Sequence, residues 1–118
     1  MTTGQANRPA ASDNRAVSVF LEKLRGTYDV SETILFGSRA RGDNRPDSDL
    51  DLTVVLNGKR GDFIDTKLDM AGLAFDVLME TGLLVQAFPM WEDDLAHPEH
   101  FPNPGLIRNI AREGIRLG

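Results

Sequence analysis

Residues 34–56, ILFGSRARGDNRPDSDLDLTVVL, constrain this chain more than any other stretch. Ile34, Leu35 and Phe36 form a short apolar run that stops at Gly37-Ser38, the pattern of a buried strand meeting a turn. Ser38-Arg39-Ala40-Arg41 can close one turn of helix before Gly42, and Asp43-Asn44-Arg45-Pro46-Asp47 consists of loop formers. From Ser48 the sequence alternates. Leu50, Leu52, Val54 and Leu56 fall on one face of a strand, and Asp49, Asp51, Thr53 and Val55 fall on the other.

That alternation carries a chemical problem. Residues two apart on a strand are separated by about 6.6 Å and point the same way, so Asp49 and Asp51 share a face. Unpartnered, they repel each other and each resists ionisation. A divalent cation with a taste for oxygen, Mg²⁺ or Mn²⁺, removes the difficulty. The Gly37-Ser38 turn ahead of a helix start offers backbone N–H groups and a hydroxyl to an anion. A phosphate cradle beside a carboxylate pair is what a metal-dependent nucleotide site requires.

Gly37-Ser38, a spacer, then Asp49-Leu50-Asp51 resembles the signature of the DNA polymerase β-type nucleotidyltransferase superfamily. The fuller string from Gly37 to Leu52, in so short a chain, resembles its minimal nucleotidyltransferase (MNT) branch. The resemblance runs from about Asp13 to Leu117, with Phe36 to Leu56 its diagnostic part. It implies an α/β fold, a small mixed sheet of three to four strands flanked by helices. It also implies transfer of a nucleoside monophosphate from a nucleoside triphosphate, ATP first among them, to an acceptor hydroxyl. Asp49 and Asp51 then become the metal-holding catalytic acids, with Gly37 and Ser38 on the triphosphate.

Arg39 and Arg41 have two readings. A guanidinium suits phosphate, which would make both nucleotide-binding. Alternatively they pair with Asp43, Asp47 or a partner chain.

The superfamily places a third acid on a later strand, read here at Leu83–Phe88, and that strand has none. Gln86 stands at the position, and an amide cannot act as a base. Glu92, Asp93 and Asp94 follow beyond Pro89, where only a chain reversal could recruit them. An alternative function therefore stands beside transfer: a catalytically weak or inactive MNT-fold module that neutralises or scaffolds a partner. A nucleotide-binding sensor is a third reading without separate support. The chain is too short for the substrate domain of larger relatives. MNT proteins are often paired with a helical HEPN-domain protein, as antitoxin with toxin, and the resemblance implies such a partner, in a homo- or hetero-oligomer.

Length and charge set the outer bounds. The 118 residues suit one domain, expected over 12–118 after a disordered tail at 1–11. A net charge of −5 disfavours a long nucleic acid as partner. There is no cysteine for a disulfide or thiolate site. No membrane-length apolar run or signal-peptide core is evident, so the expected location is the cytoplasm.

Helices are expected at 13–25, 62–80 and 104–113. The first takes Ser12 or Asp13 as N-cap and buries Val17, Phe20, Leu21 and Leu24, and Gly26 ends it. The second, capped by Asp62 and closed at Thr81-Gly82, is expected to bury Ile64, Leu68, Ala71, Phe75 and Leu78. Its acids Asp62, Asp65, Asp69 and Asp76 read as a solvated face. The third starts at Asn103-Pro104 and buries Leu106, Ile107, Ile110 and Ala111. Its Arg108 and Arg112, with Arg116 beyond, suit a partner or the helix C-terminus. His97 and His100 read as solvated loop residues rather than metal ligands, and Trp91 as a core-edge or interface residue.

Overall fold

The computed structural model describes residues 11–43, 45, 48–97, 99 and 104–117. The expected tail at 1–11 lies, but for Ala11, outside them, as do Asn44, Pro46, Asp47, His100 and Asn103. The order is α1 (Ala11–Arg25), β1 (Val30–Phe36), α2 (Ser38–Arg41), β2 (Leu50–Leu56), α3 (Phe63–Thr81), β3 (Val85–Trp91), α4 (Glu92–Ala96), α5 (Pro104–Glu113) and β4 (Ile115–Arg116). Four strands form one mixed sheet in the order β3-β2-β1-β4. β1 runs antiparallel to β2 and β4, while β2 and β3 are parallel across the α3 crossover. The α/β class and mixed sheet agree with expectation.

The alternation in β2 sorts the two sides of the sheet. Leu50, Leu52, Val54 and Leu56 are buried under α1 and α3, beside Phe20, Leu24, Met70, Ala74 and Val77. Val55 faces the other way, in a smaller cluster with Ile34, Met90, Ile107 and Ile110 beneath α5. α3 is bounded as its capping chemistry dictates. The Asp62 carboxylate accepts the Asp65 N–H at 3.0 Å, and Gly82 closes the helix in the left-handed region at φ 80°.

Three expectations need correction. Asp13 is not an N-cap, because α1 already includes Ala11 and Ser12, and the Asp13 side chain is used elsewhere. β3 begins and ends later than expected and runs through Pro89 to Trp91. Pro89 is tolerated because β3 is an edge strand, where one N–H has no neighbour to serve. Trp91 lies in the core. The largest correction concerns α3. Thr66, Met70, Ala74 and Val77 are its buried residues. Ile64, Leu68, Ala71 and Phe75, expected inside, are exposed, and Leu78 is half-buried. α3 has apolar residues on both sides, so helical periodicity cannot distinguish the two; Met70, Ala74 and Val77 pack between α1 and the sheet.

Candidate functional site

Asp51 lies in the central strand, paired with Phe36 of β1 and Gln86 of β3. Asp49 immediately precedes β2. Leu50 between them is fully buried on the α1–α3 side, so both carboxylates belong to the opposite side. The Gln86 Nε2 donates to Asp49 Oδ2 at 3.1 Å. Asp49, Asp51 and Gln86 therefore form one cluster at the N-terminal ends of two parallel strands, with the carboxamide directed toward the acids.

The Gly37-Ser38 turn closes over this cluster. Gly37 adopts φ 76° and ψ −157°, a conformation reserved in practice for glycine. A Cβ placed there would run into the Asp51 carboxylate. The turn is held by α2, whose Ala40 and Arg41 N–H groups donate to the Gly37 carbonyl at 3.1 Å each. The fourth residue of this short helix hands over to Gly42, at φ 82°.

Burial, and then the charge of Asp49, push the Asp51 carboxyl above its ordinary range, while nearby Arg41 pulls it down. The two arginines expected at a triphosphate thus differ. Arg41 is exposed, pairs at the surface with Asp43 at 3.2 Å and projects its charge onto Asp51. Arg39 is buried. It donates to Asp13 Oδ1 at 2.8 Å and to the Ser48 carbonyl at 3.0 and 2.6 Å. Its guanidinium is held by the scaffold, tying the first turn of α1 to the residue ahead of Asp49, and its acid, Asp13, was not among those expected, Asp43, Asp47 or a partner chain. The partnership was hidden because Asp13 lies 26 residues away and had a plausible local role as a cap.

Gln86 stands where a third acid was sought. Trp91, just before α4, pairs with Leu56 at the far end of β2. Trp91 lies five residue steps beyond Gln86 along β3, about 17 Å, so Glu92, Asp93 and Asp94 lie at the wrong end of the sheet. Asp94 is buried, accepts the Trp91 N–H at 3.1 Å and pairs with Arg60 at 3.4 Å. No group of three or more His, Cys, Asp or Glu side chains that could hold a metal occurs among the described residues. His97 is exposed near Glu99, 3.6 Å away.

Thr53 adds a feature unweighed from sequence. It follows Asp51 on the same side of β2, between Ile34 and Phe88, and its hydroxyl is buried with no hydrogen-bond partner among the described residues. Alternation placed Thr53 on that face, but only packing shows its isolation.

These donors fit one hard cation. Mg²⁺ keeps several waters and takes one or two carboxylates together with substrate phosphates, a requirement that Asp49 and Asp51 meet. Binding would also offset the burial of Asp51 and the neighbouring charge of Asp49, which together raise its carboxyl. A second cation would need a further acid.

Among solved structures, the chain is similar to a Sulfolobus solfataricus protein described as a candidate nucleotidyltransferase. The two are 21% identical, with a TM-score of 0.58 over 89% of this chain and 81% of that one. At that identity the likeness concerns the fold. No curated protein sequence matches the chain. The profile of the nucleotidyltransferase domain family matches residues 17–117, taking in β1 to β4 and the whole acid cluster. The chain belongs to the nucleotidyltransferase domain family.

Proposed function

We propose that the chain binds a nucleoside triphosphate with one divalent cation and transfers its nucleoside monophosphate slowly to an acceptor hydroxyl. ATP and Mg²⁺ are the leading choices, with Mn²⁺ the alternative ion. The observation that carries this reading is the cluster of Asp49, Asp51 and Gln86 packed against a turn that only glycine can make.

Asp49 and Asp51 hold the cation, which supplies charge neutralisation on the phosphates and alignment of in-line attack. The Gly37-Ser38 turn faces the triphosphate, and Arg41 adds positive charge at its rim. Arg39 acts at one remove, by holding the Ser48 carbonyl and so placing Asp49. In the reaction, the acceptor oxygen bonds to the α-phosphorus, the bond to the bridging oxygen breaks, and pyrophosphate departs. The acceptor proton must go to a base. Gln86 cannot accept it, and no other acid of the cluster is spare. A positioned base is typically worth about 10²–10⁴-fold in rate, which is the expected shortfall.

The acceptor surface comes from another molecule in this reading, and a HEPN-type partner protein in an antitoxin-like pairing suits it. The Asp49–Gln86 hydrogen bond also favours the second reading, a binding module that neutralises or scaffolds such a partner without transfer. Incubation with ATP labelled at the α-phosphate, Mg²⁺ and the partner separates them. Slow label transfer that Gln86→Asp accelerates supports the transferase. Nucleotide binding without transfer in either form supports the module.

A further inference from the structure

α3 turns a second apolar face to water. Ile64, Leu68, Phe75 and Met79 are 62%, 66%, 58% and 72% exposed, and Ala71 and Gly72 are exposed between them. At 3.6 residues per turn these six positions fall within roughly 50° of a single line along the helix. They make two adjacent i, i+4 ridges, 64–68–72 and 71–75–79, the form in which one helix receives another. The four large side chains expose on the order of 500 Å² of apolar surface, near the top of the range for a monomer's largest patch. That is also more than half of what each partner contributes to a standard interface.

The arrangement of the stripe says what covers it. Read outward from the point between Ala71 and Gly72, the pattern is the same in both directions. Leu68 and Phe75 stand equally far from that point, and so do Ile64 and Met79. We infer that this face docks a second copy of the chain about a two-fold axis passing between Ala71 and Gly72. The two-fold sets Leu68 of each copy near Phe75 of the other, and Ile64 near Met79. An isologous interface must be self-complementary in this way.

The middle of the stripe gives independent support. Gly72 lies inside a 19-residue helix, where glycine lowers helix stability. Among the described residues nothing lies within 4 Å of a Cβ built at Gly72, so their packing gives no reason for the glycine. A close helix crossing does. Two backbones approach most closely where side chains are smallest, at Ala71 and Gly72, and the larger residues fill the space as the helices diverge.

The charges at the margin supply a signature. Asp65 and Asp76 are exposed on one flank of the stripe, and the two-fold brings Asp76 of one copy toward Asp65 of the other. Self-association therefore strengthens as salt screens that repulsion, the reverse of what a basic helix from a different protein would show.

Sedimentation equilibrium of the full chain at high micromolar concentration, in low and raised salt, tests this. The expected mass is twice the 13.0 kDa of one chain, with tighter association in raised salt. Phe75→Glu should reduce the mass to that of one chain. Gly72→Leu should weaken association at least tenfold while leaving the monomer folded by circular dichroism, because the monomer has open space there. A wild type that remains monomeric at both salt levels would overturn the inference. So would a dimer that both variants leave unchanged, or one that loosens as salt rises.

Discussion

Burial and the neighbouring charge of Asp49 both favour the protonated form of Asp51, and only Arg41 opposes them. The sign of the consequence follows from linkage. The folded chain holds this proton more tightly than the unfolded chain, so the contribution of Asp51 to stability is present at low pH. It is lost as pH rises from the ordinary value of 3.8 through the raised one. Melting temperature against pH should therefore decline more steeply in wild type than in Asp51→Asn across that window; parallel curves would contradict the assignment. Cation affinity should weaken on acidification through the same window, because the proton competes for the carboxylate. Gly37 gives a second test at this scale. Gly37→Ala combines a strained φ with a Cβ aimed at the Asp51 carboxylate. It should cost on the order of 1–3 kcal/mol in denaturant unfolding and also abolish nucleotide binding. Much of this was legible in the sequence, since alternation alone put Asp49 and Asp51 on one side and Gly37-Ser38 marked the turn. The role of Arg39 was not, because a guanidinium near a phosphate site and one buried against a distant aspartate look alike in sequence.

At the scale of elements, the Arg39–Asp13 pair joins α1, α2 and the approach to β2. Both side chains are almost fully buried, and removing one partner strands a charge. Arg39→Ala should cost about 3–5 kcal/mol, whereas replacing both Asp13 and Arg39 by apolar residues of similar size should recover most of that, the remainder reflecting the Ser48 carbonyl left without the Arg39 donors. Urea unfolding of the single and double variants reads this directly. Because Arg39 also places Asp49 through the Ser48 carbonyl, the double variant should lose nucleotide affinity; unchanged affinity would show that the pair supports the fold alone. The same scale shows where periodicity reaches its limit. Helix positions were readable because Asp62, Gly82 and Gly26 are strong stop and start signals. The buried face of α3 was not, since Ile64, Leu68 and Phe75 make as good an apolar stripe as Met70, Ala74 and Val77. Burial is decided by what packs on the helix, and that information lies in α1 and the sheet. β4, two residues long, has no alternation to read; it is made by the Gly114 turn that returns the chain to β1.

For the molecule as a whole, the sheet topology sets what the chain can catalyse. The parallel β2–β3 pair puts Gln86 beside Asp49 and sends Glu92, Asp93 and Asp94 to the opposite end. No rearrangement short of unfolding β3 could bring those acids to the site. Gln86→Asp restores a carboxylate at the paired position and should raise transfer by about 10²–10⁴-fold if the missing base is the limit. The added charge should simultaneously lower the melting temperature of the metal-free protein. No helix among the described residues is long and apolar enough to cross a membrane. With a net charge of −5, the partners in this account are a nucleotide and a protein surface rather than a nucleic-acid duplex. The measurement closest to its centre is the melting temperature of wild type and of Asp49→Asn/Asp51→Asn with ATP, with and without Mg²⁺. At a hundredfold excess over the dissociation constant a single ligand stabilises by about 2.7 kcal/mol, a shift of several degrees. The account predicts that shift in wild type only when ATP and Mg²⁺ are both present, and none in the double variant, whose ligand-free form is no less stable. An equal nucleotide-dependent shift in the double variant would contradict it, because the ligand would then be bound away from the two acids.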